Sequence, residues 1–347
     1  MARLARLLPA AALISLAACS DSTSPSSVNP QQLSDRLATL TSTFEDNGAF
    51  TSLLVLSSHF PSYGGSALVQ RSMPLFRSSV SPRDFRRLAP VAAANALRGP
   101  DDVQALFPAN VLGKTLVWDT QTSEYVIGNQ TGAPANGVRL LIYFIDTQTS
   151  APSLPLNQIG YVDLTDESTA QFDRLGVLLK LFGQTVADYD ITQTIQTNFS
   201  ELSAVGRLHS ADLGEFADFD LSTGESSDGT TFAMSQNITG SDGTHLFVGV
   251  DGDATGEDFE MVVGSGSNEL AILTSIGAND VTTGTVQYNG TTVATISGTG
   301  ENLQFNGVNG NALDDEDQAA LALIMIQGLL FAFFLSIGIF GPAFIVF

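Results

Sequence analysis

The residues of this 347-residue chain that are best suited to chemistry form an acidic run with glycines, Asp251-Gly252-Asp253-Ala254-Thr255-Gly256-Glu257-Asp258. Hard cations such as Ca²⁺ are bound by about six to eight oxygen atoms, and oxygens at alternate positions of a glycine-containing loop can converge on one ion. The candidate ligands are Asp251, Asp253, Thr255, Glu257 and Asp258. Val262 stands where a helical calcium loop has its bidentate glutamate. An acidic hairpin loop and a calcium site therefore remain as alternatives here.

No other group of residues has the spacing of a catalytic site. The three histidines, His59, His209 and His245, are not at metal-ligand spacing from one another. The stretch Gly64–Ala67 has the outline of a nucleophile elbow, but Leu68 replaces its final glycine. We therefore do not predict an enzyme. A hydrolase, the least favoured class, would require carboxylates or His209 or His245 to converge in a cleft.

The charge of the chain is uneven. The formal net charge is −22, and all 14 basic residues lie at or before Arg207. From Leu208 onward there are 19 acidic residues and no lysine or arginine. Binding of nucleic acid requires a basic surface, so nucleic acid is excluded as a partner. The acidic half is typical of a solubilising surface, with binding of divalent cations as the alternative.

The chain begins with a predicted targeting segment. Arg3 and Arg6 precede a short apolar stretch over residues 7–18, which ends in Leu16-Ala17-Ala18 directly before Cys19, the only cysteine. This arrangement resembles the signal of bacterial lipoproteins, and the resemblance covers about the first 20 residues. It implies that Cys19 is lipidated and becomes the mature amino terminus. Ser20 after it implies, by the same resemblance, the outer membrane rather than the inner one.

The rest of the chain divides by composition. Residues 20–29 are small and polar, as in a flexible tether. Leucines at positions 33, 37 and 40 with Phe44 indicate an amphipathic helix after Asn29-Pro30. We predict five regions: signal peptide 1–18, tether 19–29, a mainly helical region 30–110, an antiparallel β domain 111–312, and a hydrophobic helix and tail 313–347.

The β domain is predicted from short runs of alternating residues that are separated by turn residues. Asn289-Gly290 between Val286–Tyr288 and Thr292–Ala294 is the strongest hairpin signal. The expected strands are Lys114–Asp119, Glu124–Ile127, Val138–Asp146, Gln158–Leu164, Gly176–Phe182, Val186–Thr194, Ala204–Ser210, Glu215–Leu221, Thr231–Gln236, Thr244–Val250, Phe259–Val263, Glu269–Ile276, Gly284–Tyr288, Thr291–Ser297 and Asn302–Phe305. The fold class is therefore mainly β: a large antiparallel meander that forms a curved sheet, half-barrel or sandwich.

The stretch Ala319–Phe347 carries no charged residue and follows four acidic residues, Asp314–Asp317. Carboxylates favour the first turn of a helix, and Pro342 favours its end. Because no polar stripe is present, this helix must be covered on all sides. The curved sheet, a bilayer spanned by residues 319–341, and a second subunit would each cover it.

These features predict a lipid-anchored protein of the cell envelope, facing the periplasm and acting as a binding or structural module. A hydrophobic ligand such as a lipid, or another envelope protein, is the expected partner. The alternative is a subunit of a membrane complex with a C-terminal transmembrane helix. No cofactor is expected apart from the calcium hypothesis.

Overall fold

A computed structural model describes residues 106–146, 151–170, 172–209, 216–277, 279–299, 302–308 and 313–343, together with residues 35, 37 and 38. The signal peptide, Cys19 and the tether lie outside these residues. Of the N-terminal helical region, only the described residues Asp35, Leu37 and Ala38 are seen to be helical.

The described chain is mainly β and contains one long helix. The strands are β1 (Lys114–Asp119), β2 (Glu124–Ile127), β3 (Gly137–Tyr143), β4 (Ile145–Asp146), β5 (Ala151–Pro152), β6 (Gln158–Asp166), β7 (Asp173–Leu181), β8 (Gln184–Gln196), β9 (Phe199–His209), β10 (Phe216–Ser226), β11 (Phe232–Gly240), β12 (Thr244–Gly252), β13 (Gly256–Ser265), β14 (Asn268–Gly277), β15 (Val281–Tyr288), β16 (Thr291–Thr299) and β17 (Asn302–Gly307). The helix α1 spans Asp315–Phe340.

Fifteen strands form one open sheet in the order β17-β16-β15-β14-β13-β12-β11-β10-β9-β8-β7-β6-β3-β1-β2. From β6 to β17 each strand pairs with the next one along the chain, as expected for a meander of hairpins. Strands β4 and β5 form a separate small ladder.

The prediction of a wholly antiparallel sheet is wrong at one edge. Strands β1 and β3 are parallel, with Lys114 opposite Val138 and Leu116 opposite Leu140. The hairpin partner of β1 is β2, which occupies the outer edge and leaves only the inner edge of β1 for β3. Strand β2 ends beside Leu116 and β3 begins beside Lys114, so the short connection stays at one end of the sheet and β3 runs antiparallel to β2 and in the same direction as β1. The sheet is therefore mixed.

Alternation along the strands gives the sheet an inner and an outer face. On β12, Leu246, Val248 and Val250 are buried, while the alternate residues His245 and Phe247 are half-buried on the outer face. The same pattern recurs in the neighbouring strands, so their buried side chains line up across the sheet. The inner face belongs to one continuous hydrophobic core, which also includes Leu37 and residues of α1.

The helix begins at a well-formed cap. The Asp314 side chain accepts a hydrogen bond from the Asp317 backbone N–H at 2.8 Å, and Asp315 and Glu316 add negative charge to the first turn. Both features stabilise a helix N-terminus because its backbone N–H groups lack partners within the helix. Burial together with the neighbouring Asp314 raises the pKa of Asp317.

Candidate functional site: the inner face of the sheet and its helix

Helix α1 crosses the strands instead of running along them. Gly328 lies beside Met261 of β13, Ser336 bonds to Gln236 of β11, and Ile339 bonds to Tyr189 of β8. From Gly328 to Ile339 the helix rises by about 16 Å. The strands β8 and β13 are five positions apart, or about 24 Å across a flat sheet. The helix therefore lies across the inner face, and the long Met261 and Tyr189 side chains reach it from strands on either side.

The contact at the helix C-terminus is polar. The Tyr189 hydroxyl donates to the carbonyl oxygen of Ile339 at 3.0 Å. This carbonyl is one of the last four of the helix, which have no partner within the helix. The last turn contains no basic residue that would take this role. Burial raises the pKa of Tyr189 well above its usual value, so the hydroxyl keeps the proton that it donates.

A second polar contact lies nearer the middle of the helix. Gln236 of β11 donates its side-chain amide to the Ser336 hydroxyl, and both residues are buried. The other amide atom, Oε1 of Gln236, has no hydrogen-bond partner among the described residues. The same is true of the Gln193 amide and of the Thr223 hydroxyl, which lie on the same face with Leu202 between them. The inner face thus contains a small polar region within an otherwise apolar surface.

The closest approach of the helix to the sheet is at Gly328. A Cβ atom placed there would lie well inside contact distance of the Met261 Sδ atom. Only glycine permits this approach without moving Met261. Leu321, Ile324, Phe331, Leu335 and Ile339 of the helix are buried in the same core as the strands. Within the ranges that the structure describes, no helix meets the length and hydropathy needed to cross a membrane.

The five residues predicted to bind calcium lie on the hairpin between β12 and β13, but they point in different directions. Asp251 and Asp258 are opposite each other and exposed, whereas Glu257 is buried on the inner face. Asp253 accepts hydrogen bonds at its Oδ1 from the Thr255 backbone and hydroxyl, both at 2.6 Å. This carboxylate closes the turn. A shared calcium ion would need Glu257 and Asp258 on one side, which the alternation of a strand prevents.

No group of three or more histidine, cysteine, aspartate or glutamate side chains in the described part of the chain is arranged to hold a metal ion. The two described histidines, His209 and His245, are too far apart to share a site. His245 Nε2 lies 3.7 Å from Glu269 Oε2 on the outer face. His209 lines a separate outer groove of about 540 Å³ with Arg207 and Asp218, three strands away, or about 14 Å. His59 and Gly64–Ala67 lie outside the described residues.

A second cluster, which has no signal in the sequence, lies on the outer face near β3. Arg139 makes a two-pronged ion pair with Asp163 at 2.7 Å for each bond, and its guanidinium lies 3.7 Å from the centre of the Tyr161 ring. Trp118 and Tyr143 are buried nearby. Their spacing in the chain gives no sign of this, because β3 and β6 are brought together by pairing.

Comparison with protein families, with curated proteins and with solved structures finds no match to this chain.

Proposed function

We propose that this chain is a lipid-anchored protein of the cell envelope that acts as a binding or structural module. The anchor is supported by the Leu16–Cys19 sequence with Arg3 and Arg6 before the apolar stretch. A second lipid chain makes such an anchor stable, since one chain alone binds a membrane only marginally.

The proposed role as a binding or structural module is supported by the continuous apolar inner face, against which a helix of the same chain packs. A sheet that curves around an apolar segment provides an enclosed, water-poor site for one extended hydrophobic group. In this protein α1 lies on that face over strands β8 to β13. We propose that a lipid acyl chain or an apolar segment of an envelope partner uses the same face, and that the polar region at Gln193 and Thr223 meets the polar end of such a group.

Metabolic labelling with radioactive palmitate tests the anchor. We expect label on the wild-type protein and none on Cys19→Ala, which cannot accept a lipid. An unlabelled wild-type chain would contradict the anchor.

Washing membranes with alkaline carbonate separates the two arrangements of α1. The Cys19→Ala variant should be released, because a helix packed on the sheet does not hold the protein in a bilayer. Its retention would favour the alternative, a membrane-complex subunit with a transmembrane segment.

Native mass spectrometry of the full-length protein, released from detergent, tests the ligand. A bound lipid mass in addition to the covalent anchor would support transport or storage of lipid. Its absence would favour a purely structural role for the inner face.

A further inference from the structure

Four large apolar side chains are exposed together at one end of the sheet. They are Phe144, Leu154, Leu156 and Phe182, with exposed fractions of 45%, 70%, 37% and 66%. We call this group the apolar tip. The Phe144 and Phe182 rings are 6.1 Å apart. An exposed apolar group of this size marks an interaction surface in soluble proteins.

Backbone hydrogen bonds hold the tip together. The Ser153 N–H donates to the Phe144 oxygen at 2.8 Å, and the Phe144 N–H donates to the Asn157 oxygen at 3.1 Å. The Phe182 N–H donates to the Ile159 oxygen at 2.7 Å. The segment that contains Leu154 and Leu156 is therefore fixed beside the β7–β8 turn, and the four side chains form one surface.

Phe182 is an unusual residue for its position. It has a φ of 51°, and Gly183 after it has a φ of 82°, so both central residues of this two-residue turn are left-handed. The turn between β15 and β16 has the same geometry, with Asn289 at 49° and Gly290 at 75°. Asparagine is the favoured residue there, while a bulky residue in this conformation is an outlier. Phe182 is thus strained and exposed, without stabilising the core.

The surroundings of the tip are electrically neutral. The segments 143–146, 151–160 and 180–184 contain one acidic residue, Asp146, and one basic residue, Lys180. The whole chain carries a net charge of −22, mostly after Arg207. Anionic lipid repels the acidic strands after Arg207, so the neutral tip is better suited to approach a membrane than those strands are.

Part of the backbone at the tip has no N–H group left to pair. The N–H groups of Phe144, Ser153 and Phe182 are bonded within the protein, and Pro152 and Pro155 have none. Unpaired backbone donors strongly oppose entry into lipid.

We propose that the apolar tip inserts into the interfacial layer of a lipid membrane and orients the sheet with this end towards the bilayer. This is a separate contact from the lipid on Cys19, and it does not require that lipid.

A dye on a single introduced cysteine tests the insertion. Leu154→Cys in the full-length protein is labelled with an environment-sensitive dye and mixed with vesicles of phosphatidylethanolamine and phosphatidylglycerol that contain a lipid-bound quencher. Ser227→Cys, at an exposed turn at the opposite end of the sheet, is the matched control. The wild type, whose only cysteine is Cys19, measures labelling at that position. We expect a blue shift and quenching at position 154 and neither at 227; equal signals at the two positions would overturn the proposal.

Phe182→Asn distinguishes an effect on membrane insertion from an effect on folding. Asparagine favours the left-handed conformation of this position, as Asn289 shows in the β15–β16 turn. In Leu154→Cys chains that also carry Phe182→Asn, we expect the thermal midpoint to be equal or higher. Burial of one phenylalanine contributes roughly a tenfold factor to membrane partitioning, so quenching should fall by at least half. Phe144→Ser provides a second, independent variant. Unchanged quenching in both variants would show that the tip does not enter lipid. Palmitate labelling of Cys19 is scored separately, so failure of the anchor and failure of the tip are distinguishable.

Discussion

The Tyr189 hydroxyl and the Ile339 carbonyl oxygen, 3.0 Å apart, join strand β8 to the last turn of α1 across 150 residues of chain. The bond satisfies a helix-end carbonyl inside the core, where water is excluded. It is therefore the contact by which the sheet recognises the end of the helix.

Tyr189→Phe should lower the free energy of unfolding by about 1–2 kcal/mol, because it leaves a buried carbonyl without a donor. Urea denaturation measures the change. The matched control is Tyr288→Phe, which removes an exposed hydrogen bond to Asn268 and should cost less than about 0.5 kcal/mol. Equal losses in both variants would mean that the buried bond does not stabilise the docked helix.

Stability should fall steeply at alkaline pH. A tyrosine in the unfolded chain loses its proton near pH 10, whereas burial raises the pKa of both Tyr189 and Tyr125 in the folded protein. Unfolding above pH 10 therefore releases protons, so the stabilisation that is present below pH 10 is lost as the pH rises towards the folded-state pKa values. Each group contributes about 1.4 kcal/mol per pH unit in this window. The unfolding free energy of Tyr189→Phe, measured from pH 8 to 11.5, should have a shallower slope by one proton.

The effect of Gly328→Ala on the free energy of unfolding should change sign when Met261 is replaced as well. Alanine favours a helix by about 1 kcal/mol over glycine, but forcing its Cβ against Met261 costs about 1–3 kcal/mol. We expect a net loss in the wild-type background. In Met261→Ala, where the obstructing sulfur is gone, Gly328→Ala should stabilise the protein by up to about 1 kcal/mol. A double-mutant cycle by thermal unfolding checks this, and additive effects would mean that helix and strand are not in contact.

The two arginine–aspartate pairs should differ in strength despite their similar geometry. Arg139 and Asp163 are 18% and 12% exposed, whereas Arg207 and Asp218 are 42% and 47% exposed. Arg139→Ala leaves a mostly buried carboxylate unpaired and should cost roughly 2–3 kcal/mol. Arg207→Ala should have a much smaller effect, because solvent screens exposed pairs. Urea midpoints at low and high salt measure both variants, and a larger loss at Arg207 would contradict this ranking.

Millimolar calcium should leave the melting temperature nearly unchanged, because the buried Glu257 and the exposed Asp258 point to opposite faces of β13. The variant Asp251→Asn with Asp253→Asn is the control. If calcium raised the melting temperature of the wild type by several degrees and not that of this variant, the loop would be a calcium site after all.

The fold was predictable where the signal is local. Lys114–Asp119 and Glu124–Ile127 are strands with the predicted bounds, and Asn289-Gly290 forms the predicted hairpin. Thr244–Val250 alternates as predicted, with Leu246 and Val248 on the inner face. Other strands are longer than predicted, for example Phe199–His209 where Ala204–Ser210 was expected, because pairing with neighbours on both sides extends strands beyond their most apolar residues. The relative positions of the candidate site residues could not be predicted from the sequence. The distance between His209 and His245, for example, depends on the order of the strands in the sheet.

Alternation and turn-forming residues act over a few neighbours in the chain, so the mainly β character and the positions of many turns can be read from the amino-acid sequence. Three relations are visible only in the folded chain: β3 joins β1 in parallel, Tyr189 bonds to Ile339, and Phe182 is exposed beside Phe144. These relations depend on contacts between distant segments. The burial of a residue, and the partner that it meets, follow from packing of the whole sheet and not from its own neighbours in the chain.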